Sequence, residues 1–249
     1  GLARRASFVK EIRNRYENVL LLDAGDAFWS DVPLTRKTGS LIIVEAMNMM
    51  GYSAAALGEK DLTLPKEALE RIISTANFPI LSANVLKEDG KLLASPYAFL
   101  EVRGHRIAIL GLTGLPIPPI MGYRVLDPLE TGRHYIRKLR READIVIVLA
   151  HTGGEIAKRL GAEDGVDLVV WGGVVGQKPE PFWNETNASL AVIAEAPTPG
   201  HAGREVGFAR LDLDSKGRIT SYEWSSTLLT PSFPDDPAIL SLIQRYSGP

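Results

Sequence analysis

The sequence has 249 residues, with 28 Lys plus Arg against 30 Asp plus Glu, giving a formal net charge of −2. Apolar residues make up 45% and charged residues 23%, ordinary values for a globular chain long enough to bury a sizeable core. This near-neutral balance leaves no electrostatic footprint for nucleic acid, no stretch has the apolar length of a membrane span, and the absence of cysteine removes disulfides, thiolate metal sites and cysteine nucleophiles.

Leu2, Ala6, Val9, Ile12 and Tyr16 recur at helical spacing and predict an opening amphipathic helix. Val19–Leu22 reads as a short strand that runs into the loop Asp23–Ser30. Residues 40–50 are apolar nearly all round and predict a buried helix stopped at Gly51. Ala54–Leu57 reads as a strand ending in Gly58-Glu59-Lys60-Asp61; a helix from Pro65 and a strand over Pro79–Ser82 follow. Tyr97–Val102 and Arg106–Leu112 predict a hairpin about Arg103-Gly104-His105. A Pro/Gly-rich loop over 114–128 then precedes a helix carrying Leu129, Ile136, Leu139 and Ala143 on one face.

Ile145–Ala150 is the clearest buried strand, and it leads into His151-Thr152-Gly153-Gly154. After a short helix, Asp167–Trp171 is a strand ending at Gly172-Gly173-Val174-Val175-Gly176. Strands follow over 189–195, 205–213 and 218–227, the last two joined by the turn Asp214–Gly217, and 237–246 predicts a closing helix. Strands alternate with helices early and hairpins dominate late, the pattern of a layered α/β domain with mixed sheets.

Ligands of such folds bind beyond the carboxyl ends of the strands. Asp26, Glu59, Lys60, His151 and residues 172–176 all sit there, so two carboxylates, an ammonium and an imidazole share one rim. The alternative is a set of separate loop residues, with Glu59-Lys60-Asp61 a plain solvated run. Asp23 reads as structural, His105 and His134 as surface residues, and His201 as a histidine that reaches the site from a late loop in a minority reading. Trp29, Trp171, Trp183 and Trp224 read as packing.

Six segments occur in order: Gly1-Leu2-Ala3-Arg4-Arg5-Ala6, Leu21-Leu22-Asp23-Ala24-Gly25-Asp26, Ala56-Leu57-Gly58, Leu81-Ser82-Ala83-Asn84-Val85, Gly111-Leu112-Thr113 and Leu149-Ala150-His151. Together they resemble the metallophosphatase domain of the 5′-nucleotidase and UDP-sugar hydrolase family, within the calcineurin-like phosphoesterases. The resemblance implies a four-layer αββα sandwich with mixed sheets and a two-metal site at the sheet edges. On this reading residues 1–249 are a single domain; the family's first strand, with its Asp-x-His, lies before Gly1, and the C-terminal nucleotide-binding domain is not included.

Carried over residue by residue, the resemblance implies that Asp26 stands at the bridging carboxylate and His151 at the lone metal histidine. Glu59 replaces the metal-binding Asn, Lys60 replaces the catalytic His, and Gly173 and Val175 replace the two histidines of Gly-His-x-His. Two alternatives follow. Asp26, Glu59 and His151 form a single-metal site for Mn²⁺, Mg²⁺ or Zn²⁺, or the Lys60 ammonium takes the place of the lost cation and no metal is held. The second is favoured, because an ammonium relieves the repulsion of clustered carboxylates. Trp171 is expected to fill the altered site.

The leading expectation is a catalytically degenerate domain serving as a binding or assembly subunit, partnered by another protein chain, with no nucleic acid and no transmembrane segment. A single-metal phosphoester hydrolase is the alternative, and a related hydrolase of a different ester, as in the thiosulfohydrolases of this fold, a third. The resemblance also implies a periplasmic or extracellular location.

Overall fold

The computed structural model describes residues 1–173, 180–194 and 204–248. Its first half runs α1 (Leu2–Arg15), β1 (Leu22–Asp23), α2 (Pro33–Lys37), α3 (Leu41–Met50), β2 (Ala54–Ala56), α4 (Lys66–Thr75), β3 (Ile80–Leu81), β4 (Val85–Lys87), β5 (Tyr97–Val102), β6 (His105–Thr113) and β7 (Tyr123–Val125). The second half runs α5 (Pro128–Leu139), β8 (Ile145–His151), α6 (Gly154–Gly161), β9 (Leu168–Gly172), β10 (Phe182–Asn184), β11 (Ser189–Ile193), β12 (Glu205–Leu213), β13 (Ile219–Leu228) and α7 (Pro237–Ser247).

Three apolar clusters separate four layers, as an αββα sandwich requires. The first lies under α1, α3, α4 and α7 and includes Ala6, Met47, Leu69, Ile72 and Leu242 packed on Ala55, Leu57 and Ile80. The second lies between the sheets, where Ala54, Ala56 and Leu81 meet Ile109, Ile147, Leu149 and Val170. The third seats α5 and α6 through Leu129, Ile136, Leu139 and Leu160 on Val146, Val148 and Val169. Strands β8 and β9 are covered on both faces, which explains why they read as continuous apolar runs rather than alternating ones.

One sheet has the order β10-β11-β9-β8-β6-β5; it is parallel from β6 through β11 and antiparallel at both edges. Facing it are the parallel trio β1-β2-β3 and the antiparallel pair β12-β13. The two layers approach closely at Gly111, where a Cβ would stand 2.5 Å from Leu81 Cβ.

Two expectations are corrected. The first strand is shorter than Val19–Leu22 suggests: it pairs over Leu22–Asp23, preceded by one backbone bond from Ser53 N to Leu21 O. The loop over 114–128 contains β7, paired antiparallel with β4, and both are too short to alternate visibly in sequence. Asn84 holds this pair in place. Its amide donates to Thr113 O (2.7 Å) and Leu126 O (2.9 Å) and its Oδ1 accepts from Thr113 N at 2.9 Å. Strand β10 and helix α2 carried no readable signal.

The closing helix is anchored by Asp236, whose Oδ1 accepts from Ala238 N (3.0 Å) and Ile239 N (3.1 Å), and whose Oδ2 pairs with the Lys10 ammonium of α1. Burial works against the charged carboxylate, but Lys10 and the two amides hold its pKa below the ordinary value. A depressed carboxylate contributes stability above its unfolded pKa and loses it as pH falls through the folded one. Replacing Asp236→Ala is expected to cost about 1–2 kcal/mol at neutral pH. That difference from the unaltered chain should shrink in acid unfolding titrations below about pH 4.

Candidate functional site

The rim is built at the carboxyl ends of β1, β2, β8 and β9. The turn after β1 puts Asp26 in the left-handed region (φ 61°), a conformation that aspartate tolerates better than most residues. The backbone approaches so closely here that a Cβ on Gly58 would stand 2.1 Å from Asp26 Oδ1, so glycine is required at that point.

Asp26, Glu59 and His151 converge as the sequence predicts. His151 lies at the end of β8, with only 5% of its side chain exposed; its Nδ1 is 2.6 Å from Glu59 Oε2 and its Nε2 3.4 Å from Asp26 Oδ2. Among the described residues these three form a group whose ligand atoms all lie within 4.8 Å of one another, the arrangement of a possible metal-binding triad. Lys60 stands beside them, its backbone N–H donating to Asp26 Oδ1 (2.9 Å) and its Nζ 4.0 Å from Asp26 Oδ2.

Each shift in acidity follows from this packing. Burial lifts Asp26 above its ordinary value; the His151 charge opposes the lift and Glu59 adds to it. Burial also works against the Glu59 carboxylate, yet the His151 hydrogen bond and charge bring it below its ordinary value. Desolvation disfavours the His151 imidazolium, but Glu59, Asp26 and Asp61 outweigh it and hold the ring's pKa above its ordinary value.

Sequence reasoning missed the residue that organises the rim. Asp61 is fully buried, not part of a solvated run. Its Oδ2 accepts from Asp26 N and Gly58 N, both at 3.0 Å, and its Oδ1 from Phe28 N (3.0 Å) and Trp29 N (3.1 Å). Burial and the neighbouring Asp26 charge push it up to about 7, against the pull of the Gly58 and Phe28 amides. Asp61 opens a 3₁₀ turn, a position where carboxylates commonly take amides, but its partners lie up to 35 residues away and have no signature in sequence.

Two tryptophans are also reassigned. Trp29 is 36% exposed at the rim, with Lys60 Nζ 5.2 Å from its ring centroid. Trp171 does not fill the site: it points to the opposite face of its sheet, under α6, where a Cβ on Gly154 would stand 3.0 Å from its ring. Gly173 lies where the sequence places it, beside the rim; a Cβ there would be 3.4 Å from His151 Nδ1, so a longer side chain at this position would face the triad. Val175, with the rest of 174–176, and His201 lie outside the described residues. Asp23 caps the turn, accepting from Gly25 N at 2.9 Å, while His105 is half-buried and His134 exposed, both away from the triad.

No family model matches the sequence. The 5′-nucleotidase of Bos taurus is 30% identical over 99% of this chain and 47% of its own length. The crystal structure of a 5′-nucleotidase precursor from Thermus thermophilus superposes with a TM-score of 0.84 at 28% identity, over 99% of this chain and 52% of the other. Along its whole length the chain is similar to the metallophosphatase domain of 5′-nucleotidases. A calcineurin-like phosphoesterase from Bacillus subtilis shares the fold at a TM-score of 0.79 and 21% identity, over 99% of this domain and 88% of that chain. The domain spans about half the length of the curated relatives it matches. The family is one of metal-dependent phosphoesterases, and no helix among the described residues is long and apolar enough to cross a membrane.

Proposed function

We propose that this 5′-nucleotidase-like domain has lost two-metal hydrolysis and serves as a binding or assembly subunit, exported as its snake-venom relatives' names suggest for those proteins. One observation carries the reading: both ring nitrogens of His151 face carboxylates of the rim, and the Lys60 ammonium stands against the same Asp26. Cationic side chains thus answer the negative charge that a metal pair answers in two-metal hydrolases.

Among the described residues the donor set fits one divalent ion. Asp26, Glu59 and His151 offer one ligand atom each, and Mn²⁺, Mg²⁺ or Zn²⁺ suits such oxygen and nitrogen donors. Residues 172–176, where the resemblance puts the Gly-His-x-His donors, read Gly-Gly-Val-Val-Gly and offer no ligating side chain. The compact triad favours a second reading, a single-metal phosphoester hydrolase, in which these residues would hold the ion and the ion would activate water.

Loading the purified chain with Mn²⁺, dialysing it and counting metal by elemental analysis separates the two readings. The expected result is no stoichiometric metal and no phosphate release from AMP or p-nitrophenyl phosphate. Retained metal with phosphate release that EDTA abolishes overturns the proposal in favour of the hydrolase.

A further inference from the structure

The six-stranded sheet ends in two unlike edges. At one, β10 covers only Phe182–Asn184, a short edge that offers a second chain little to pair with. At the other, β5 runs Tyr97-Ala98-Phe99-Leu100-Glu101-Val102 and pairs, among the described residues, only with β6. It holds no proline, no lysine and no bulge, the usual devices that blunt an edge, and its register with β6 is unbroken.

Only half of this strand's backbone is used by β6. Pro96 O takes Gly111 N, so Pro96 faces β6, and by alternation Ala98, Leu100 and Val102 face it too. The N–H and C=O groups of Tyr97, Phe99 and Glu101 therefore point out of the sheet. The side chains of these three share the sheet face that α5 covers. Tyr97 and Phe99 pack there on each other, Tyr97 also meets Tyr135, and the Tyr97 hydroxyl accepts from Lys138 Nζ at 2.9 Å. Glu101 is exposed and makes no ion pair among the described residues. Its cross-strand neighbour Arg106 lies instead on the Phe99 ring, 4.0 Å from the centroid.

We propose that two copies of this chain pair through β5, antiparallel and two-fold about Phe99, so that their six-stranded sheets run on as one. In this register the outward groups of Phe99 meet those of Phe99 in the second copy, and those of Tyr97 meet those of Glu101. Every outward N–H and C=O over Tyr97–Glu101 is then answered. Charge selects the register. About Phe99, each Glu101 stands across from Tyr97 of the other copy and so beside the Lys138 ammonium there, an opposite-charge pair made twice by symmetry. A two-fold about Glu101 would set the two carboxylates against each other, and one about Tyr97 would bring the two Lys138 ammoniums together. A second copy fits better than an unrelated strand because the pairing is self-complementary. It fits better than a fibre because β10 offers no equivalent edge, so the two-fold uses the long edge up and closes. The rim stands at the ends of other strands, so the dimer forms whether the rim binds or hydrolyses.

The test is sedimentation of the full chain across about 1–300 µM, a range that reaches the weak association of a small interface. The expected result is a monomer–dimer equilibrium with no larger species. Amide exchange should slow with concentration at Tyr97, Phe99 and Glu101, while Ala98, Leu100 and Val102, already held by β6, change little. Glu101→Lys and Lys138→Glu should each weaken the dimer by about tenfold or more, since each makes the facing charges alike. Mixing the two variants in equal amounts should restore it, because every facing pair is again opposite in sign. Both side chains are exposed, so the variants are expected to fold, which circular dichroism checks. The exchange readout on the unaltered chain stands whatever the variants do. A chain that stays monomeric throughout overturns the proposal, and so does growth into open-ended polymers. Association that folded charge variants leave unchanged, a mixture that does not recover, or exchange at the three amides that ignores concentration overturns it as well.

Discussion

Replacing Asp61→Ala is expected to destabilise the domain by about 3–5 kcal/mol. The carboxylate takes four backbone N–H groups, from Asp26, Phe28, Trp29 and Gly58, and the residue has no exposed surface. Removing it leaves those donors without a partner in a place that water reaches poorly, and a buried unpaired donor costs about 1–3 kcal/mol. Partial relaxation of the loop keeps the total below the simple sum. For a chain of this size each kcal/mol moves the melting temperature by about 2–4 °C, so calorimetry should record a drop of roughly 8–15 °C. Asp61→Asn should recover only part of the loss, because one face of the amide presents N–H groups to N–H groups. The rim suffers with the fold: Asp26 is held at φ 61° in part by its own N–H bond to Asp61, and it should lose its place beside His151. A drop of less than about 2 °C would show that the four hydrogen bonds do not organise the loop.

The layered fold was legible because its signals are local. Ile145–Ala150 is apolar without a break, Gly51 sits at φ 67° where the third helix stops, and Arg103-Gly104 turns the hairpin between β5 and β6. The rim was legible where each residue stands at or just past a strand's end: Asp26 and Glu59 lie three residues beyond one, and His151 closes another. What the sequence could not convey depends on long-range geometry. Asp61 looks like a loop carboxylate until the turn after β1 folds over it and delivers three amides. Trp171 and Gly172 are neighbours in sequence, yet the pleat sends one toward α6 and sets the other beside the His151 ring.

Lys60 offers the sharpest probe of what replaced the metals. If its ammonium answers the charge of Asp26, Lys60→Met should make the triad a better cation site. Unit charges 4 Å apart interact by about 4 kcal/mol at an effective dielectric of 20, and solvent at a half-exposed ammonium screens much of that. The distance from Lys60 Nζ to Asp26 Oδ2 is 4.0 Å and the lysine side chain is 52% exposed. A net relief of about 1.4–2 kcal/mol is expected, hence roughly a ten- to thirtyfold gain in Mn²⁺ affinity by titration calorimetry. Methionine keeps a similar apolar stem and removes the ammonium, which stands 5.2 Å from the Trp29 ring centroid. The gain should vanish in the double variant Lys60→Met with His151→Ala, because the triad then lacks its nitrogen donor. An unchanged affinity in Lys60→Met would mean that the ammonium does not compete with a cation, and that the triad owes its charge balance to His151 alone.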